Sequence, residues 1–248
     1  MWARRMWIKD ITEVDKYAFI IPNFGTDEEN SMILEESKEF GDILQTDTRI
    51  STSHVISKQQ IAGLLFSHMY CNRMRYTALL LEEVFINTKV MKKFAKRENY
   101  SANRIYGNLY KGYSPSRDSS SQHFTSKHLW PWEIFPPFLG SRLAIFSQDT
   151  VVRLLHAATQ IPFFQVRCLT QQDHILNINM QHPEIWLTSL VSLHAEIIRM
   201  GVKDLFTGLS GHKTNCYWSS RAAIWGIKKN QDEWLTMIRN TSCDIQRP

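Results

Sequence analysis

The sequence predicts an α/β protein of one main domain, on three observations. Short apolar runs bounded by turn residues alternate with longer amphipathic stretches through the first two thirds of the chain. One such run, Ala78-Leu79-Leu80-Leu81, stops abruptly at Glu82 and Glu83, as a buried strand does when its tip reaches a site. A chain of 248 residues with 43% hydrophobic and 21% charged residues can bury a sizeable core and lacks the composition of a disordered segment.

The elements follow in order. Residues 2–8 carry helix-forming side chains with no strand before them. Residues 17–21, Tyr-Ala-Phe-Ile-Ile, read as a buried strand stopped by Pro22 and the turn Asn23-Phe24-Gly25. A helix is predicted over 27–40, closed by Gly41, which takes a left-handed C-cap conformation without a Cβ clash. Residues 42–45 are a short extended piece. A long amphipathic helix runs from Ser53 or His54 to about Cys71, with Ile61, Leu64, Leu65 and His68 recurring on one face. Residues 76–81 form the next strand, 84–97 the next helix and 104–110 another strand. Polar, serine-rich residues 114–121 read as an exposed loop, and Pro131, Pro136 and Pro137 among Trp130, Trp132, Phe135 and Phe138 make a stiff aromatic one. Such rings either wall a sugar site or cap the core. A strand at 143–146 leads into a helix reaching about Ala158, and helices are predicted over 183–199 and 219–239. We place the main domain at 1–206 and a helical C-terminal extension packed on it at 207–248.

Glu82 and Glu83 admit two readings. At the carboxyl end of a strand, hard carboxylate oxygens suit a divalent cation held against a phosphate. Alternatively, they open the following helix, where acids favour the positive end of the dipole. A net charge of +5 mildly favours anionic ligands, but the cations are scattered and carry no nucleic-acid signature. Cys71, Cys168, Cys216 and Cys243 permit two disulfides without demanding them, and His212 with Cys216 lacks the further ligands a zinc site needs. The sequons at Asn99 and Asn240 permit a secretory-pathway location. No run approaches the length of a membrane span, and the N-terminus has no apolar signal core.

Taken in order, these motifs resemble glycosyltransferase family 31, the β-1,3-galactosyl- and N-acetylglucosaminyltransferases. Residues 3–7, Ala-Arg-Arg-Met-Trp, look like the family's I-R-x-T-W. Residues 35–47, with Glu35-Glu36-Ser37 and then Phe40-Gly41-Asp42-Ile43-Leu44-Gln45-Thr46-Asp47, are similar to its E-x(4-5)-G-D-I-I-Q-x-D block. Lys58 falls on the lysine of its L-T-L-K-T helix and Cys71 on that helix's closing cysteine. Residues 76–87 cover K-x-D-D-D-V-F-V-N, Pro115-Ser116-Arg117 looks like P-x-R, and residues 136–147 look like Y-P-P-Y-x-x-G-x-x-Y-x-x-S. His194 falls where members carry a histidine in a V-x-H segment.

The resemblance implies a GT-A-like fold, a central mixed sheet flanked by helices, here expected to lack the first strand. It implies a UDP-sugar donor, Mn2+, inversion at the anomeric carbon and an acceptor glycan on protein or lipid. It also implies residence in the Golgi, with membrane association only through an N-terminal anchor that these residues do not include. The site residues it points to are Arg4, Lys58 and Glu82 for the nucleotide and its phosphates, with Glu83 and His194 for the metal. The histidine equally fits a core position among Leu190, Val191, Leu193, Ile197 and Ile198. Two departures stand out. The family's three aspartates fall on Leu81, Glu82 and Glu83, so the first position has no ligating atom. The family's base segment falls on Phe164-Gln165-Val166, and Gln165 is neutral across the working pH range. The expectation is a hexosyltransferase of β-1,3 specificity, the alternative an inactive relative that binds a glycan or partners an active transferase.

Overall fold

The computed structural model describes residues 2–11, 15–49, 55–98, 102–121, 123–161, 183–203, 205–209, 213–227 and 232–241. A short helix, α1 (Trp2–Met6), and a 3-10 turn (Ile8–Asp10) precede β1 (Phe19–Asn23), which pairs in parallel with β2 (Ile43–Arg49). Between them α2 (Asp27–Phe40) starts at Thr26, whose hydroxyl accepts the Glu29 N–H, and ends at Gly41 with φ 64°. The next helix, α3 (Val55–Tyr70), crosses over to β3 (Tyr76–Leu80).

The main sheet has the order β3-β6-β5-β7, with β5 (Arg104–Tyr110), β6 (Phe138–Ser147) and β7 (Ile198–Gly201). Strand β6 is antiparallel to both β3 and β5, while β5 and β7 are parallel. It follows that β3 and β5 point the same way. Side chains alternate across this sheet with the period of two that pleating imposes. Ile105, Ala144 and Phe146 face a core closed by α3, by α5 (Gln148–Gln160) and by a continuous helical run. That run consists of α6 (Pro183–Ile185), a π-helical stretch (Trp186–Val191) and α7 (Ser192–His194). Tyr106, Leu143 and Ile145 face a second core. It is closed by α4 (Thr88–Arg97) and a smaller sheet of order β4-β9-β8, formed by β4 (Phe85–Ile86), β8 (Phe206–Gly208) and β9 (Ala223–Trp225). The helices α8 (Asn215–Ser219) and α9 (Asp232–Asn240) complete it. Mixed sheets flanked by helices are the architecture expected of a GT-A-like fold.

Three sequence expectations are corrected. Residues 84–97 are not one helix. Val84, Phe85 and Ile86 are buried, β4 pairs with β9, and the helix starts only after Asn87, whose side chain accepts the Val90 N–H. The helix predicted to reach residue 199 ends at His194, and Glu196 turns the chain with φ 55° so that β7 can join β5. The 207–248 extension is not wholly helical, and its boundary cuts through β8. Residues of β8, β9 and α9 pack in one core with Ala3, Met6 and Phe85.

Glu196 occupies the left-handed position just after a helix, where its N–H donates to Leu193 and the Ile197 N–H to Ser192. A Cβ there is strained, and glycine is the usual occupant. Glu196→Gly is therefore expected to stabilise the protein by about 0.5–1 kcal/mol, strain relief outweighing glycine's greater chain entropy. A urea titration showing a lower midpoint would contradict this.

Candidate functional site

The common direction of β3 and β5 gives the main sheet a carboxyl edge, and the sequence candidates divide between that edge and the opposite one. At the carboxyl edge the chain leaves β3 through a tight turn holding Glu82 and Glu83, both exposed, before entering β4. The acids therefore do not open a helix; they stand in the turn that follows a strand. The Val84 N–H donates to the Leu81 carbonyl (3.1 Å) and closes the turn. Leu81 lies across from Arg142 of β6, its N–H donating to the Arg142 carbonyl (3.0 Å). The Arg142 Nε in turn donates to Glu83 Oε1 (3.1 Å), an ion pair between two half-exposed side chains.

Lys58 belongs to the same edge. Helix α3 runs antiparallel to β3, since its Ser67 meets Thr77 while its Gly63 packs against Leu79. From Gly63 back to Lys58 the helix rises about 7 Å toward the Glu82–Glu83 turn. Lys58 is exposed there and forms no ion pair among the described residues.

The loop joining β5 to β6 supplies the aromatic wall. Arg117 holds it together, its guanidinium donating to the carbonyls of Thr125 (2.7 Å), Trp130 (2.8 Å) and Trp132 (2.8 Å). Trp130, Phe135 and Phe138 are buried and pack the loop's own core, whereas Trp132 is 61% exposed and stands out toward solvent. Tyr110 stacks on Phe138 at 5.3 Å. It also lies so close over Gly140 that a Cβ there would come within 2.9 Å of the ring. Trp225 lies as tightly over Gly208, at 2.8 Å. Both rings line a narrow crevice with Asn108, Arg142 and Phe206, beside the acidic turn.

Sequence reasoning missed Arg142 and Trp225. Arg142 carried no motif signal, and only the strand register across from Leu81 identifies it. Trp225 falls inside the helix predicted over 219–239, whereas it ends strand β9.

The remaining candidates lie elsewhere. Arg4 sits at the start of β1 and β2, at the amino edge. Its Nε and Nη2 donate to the two oxygens of Asp42 (2.8 and 2.5 Å), its Nη1 to Glu36 (2.5 Å), and its guanidinium lies over the rings of Phe40 and Phe19. These bonds raise the Arg4 pKa further and hold the Asp42 carboxyl below its ordinary range. A guanidinium so committed is a structural cation, not a phosphate ligand. His194 is exposed at the end of α7, its Nε2 within 2.7 Å of Gln160 Oε1. It is not a core histidine, and its neighbours Arg153 and Asn103 mark the end of the sheet where β5 begins, opposite the Glu83 turn. Glu83 and His194 cannot share one ion. Leu81 offers no ligating atom, and no group of three His, Cys, Asp or Glu among the described residues is arranged to hold a metal. Of the residues expected to hold Mn2+, the described structure leaves Glu83 alone at this edge. Gln165 lies outside the described residues. Cys216 is disulfide-bonded and Cys71 is free.

No helix among the described residues is long and apolar enough to cross a membrane. A model of the galactosyltransferase family matches residues 3–183. Beta-1,3-galactosyltransferase 5 of Gorilla gorilla gorilla is 23% identical over 169 residues, covering 67% of this chain and 56% of the relative. Lactosylceramide 1,3-N-acetyl-beta-D-glucosaminyltransferase B of Danio rerio is 24% identical, over 64% of this chain and 44% of the relative. Beta-1,3-galactosyltransferase 2 of Homo sapiens is 27% identical, over 52% and 31% respectively. The chain thus spans about half or less of the length of these relatives. With a family match over most of its length and a mixed α/β fold around an acidic strand tip, this chain belongs to the galactosyltransferase family.

Proposed function

We propose that the chain is the donor-binding domain of a hexosyltransferase. It would move galactose or N-acetylglucosamine from a UDP-sugar to a hydroxyl of an acceptor glycan, through a β-1,3 linkage, in the Golgi. The observation that carries this reading is the Glu82–Glu83 turn at the carboxyl edge of the main sheet, where ligands of open α/β sheets gather. Lys58 and Arg142 bring positive charge to the same edge, suited to a diphosphate. Tyr110, Trp132 and Trp225 bring aromatic faces, suited to a pyranose.

In an inverting transfer the acceptor hydroxyl attacks the anomeric carbon while the diphosphate leaves from the opposite face. Negative charge grows on the departing oxygen, and fixed cations at the edge stabilise it. A proton must also leave the attacking hydroxyl. The position matched to the family's base is Gln165, which cannot accept it, so turnover is expected to be slow.

That neutral residue also supports a second reading, an inactive relative that binds a glycan or partners an active transferase. Titration of the purified protein with UDP, followed by tryptophan fluorescence, tests the choice. Saturable UDP binding that is weakened by Lys58→Ala supports the transferase reading. A folded protein that binds glycan but not UDP supports the second.

A further inference from the structure

The family's charge compensation is expected from a divalent ion, and of the residues that would hold one only Glu83 stands at the carboxyl edge here. The first acid position is Leu81, which packs into the core, and the second metal candidate, His194, is at the far end of the sheet. Arg142 lies directly across from Leu81 in the strand register and reaches toward the turn to bind Glu83. We propose that Arg142 takes the role of that ion: it is the cation that holds the diphosphate of a nucleotide donor, independently of any metal. The proposal rests on the transferase reading above and specifies how its donor is held.

Three features favour it. The Arg142 backbone is fixed by the bond from the Leu81 N–H, so the side chain starts from a rigid strand. Only its Nε is bound, to Glu83; Nη1 and Nη2 have no partner among the described residues, and the side chain is 50% exposed. A guanidinium in this state presents a free pair of donors whose fork matches two phosphate oxygens. Glu83, in turn, orients the guanidinium from behind, as a carboxylate does when it is a partner of the cation rather than a ligand of a metal. Lys58, exposed at the same edge, adds a second positive charge to the field that the diphosphate meets.

Isothermal titration with UDP, in EDTA and then in excess Mn2+, tests the assignment on the intact chain. Wild-type protein is expected to bind UDP in EDTA with an affinity that Mn2+ changes by less than about threefold. Arg142→Ala should weaken binding about tenfold to a hundredfold, the range for losing charge-assisted hydrogen bonds. Arg142→Lys, which keeps the charge without the fork, should fall between. Glu83→Gln, which removes the carboxylate that orients the guanidinium, should weaken EDTA-resistant binding by less than Arg142→Ala does. Circular dichroism of each variant checks the fold. Strict dependence on Mn2+, loss of UDP binding in Glu83→Gln equal to that in Arg142→Ala, or unchanged affinity in Arg142→Ala would each overturn the proposal and leave the transferase reading standing. Absence of UDP binding by folded protein in both conditions would overturn both.

Discussion

Asp42→Ala is expected to lower the free energy of unfolding by about 3–5 kcal/mol, the cost of leaving a buried charge without its partner. The charge left behind is Arg4, whose side chain is 11% exposed, while that of Asp42 is 6% exposed. Arg4 would keep Glu36, but Glu36 is 33% exposed and contributes less. The pair joins α1 to the start of β2 and seats the guanidinium against Phe40 and Phe19, so its loss also loosens the packing of α1. The sign of the pH dependence follows from the direction of the shift. Hydrogen bonding to Arg4 lowers the folded pKa of Asp42 below the unfolded value of about 3.9. Its stabilisation is therefore complete above that unfolded value and is lost as the pH falls through the depressed folded one. Chemical denaturation at pH 7 and across the acid limb should show a smaller stability for Asp42→Ala and a shallower acid dependence for Asp42→Asn. An unchanged midpoint in Asp42→Ala would mean that water screens the pair despite its burial. Neither variant touches the carboxyl edge, so UDP binding by the folded fraction should persist.

Local chemistry made part of this legible in advance. The helix at Asp27–Phe40 carries its stop at Gly41, and β5 is bounded at Arg104 and Tyr110 as its apolar pattern implies. The strand tip at Glu82 was visible because an apolar run cannot continue through adjacent carboxylates. What misled was apolar periodicity in segments whose partners are distant in sequence. Residues 85–86 and 223–225 fall inside predicted helices, yet they form a two-residue and a three-residue strand pairing with each other. A segment so short owes its conformation to that tertiary contact rather than to its own propensity. The same cause hid the site's other half. Arg142 and Trp225 come from the interior of one strand and the end of another; Arg142 meets Glu83, and Trp225 the crevice beside Arg142, only through sheet pairing. Arg4 and His194 erred the other way, because matched positions carry chemical identity but not the partners that occupy a side chain. In this chain Asp42 and Gln160 occupy them.

Gln165→Asp is expected to raise the rate of sugar transfer by roughly 10²–10⁴, the span that a positioned general base contributes. Gln165→Asn should leave the rate as it is, since an amide of either length cannot take a proton. Affinity for UDP should change little in both, so the gain would appear in kcat rather than in the KM for donor. Adding Leu81→Asp separates the two departures from the family pattern. A carboxylate at position 81, at the rim of the core and two residues from Glu83, would add a second acid to the turn for a divalent ion. Donor binding in Leu81→Asp should then depend more strongly on Mn2+ than donor binding in the wild-type protein does. The substitution also removes a leucine that packs partly against the core, at a cost of about 1–2 kcal/mol in stability. Donor hydrolysis and transfer to a β-linked glycan acceptor, measured for the wild-type protein and all four variants, distinguish the possibilities. If Gln165→Asp and the double variant both fold and bind UDP yet transfer nothing, the missing base is not the obstacle. The glycan-binding or partner reading then becomes the better account of the acidic turn and its aromatic surroundings.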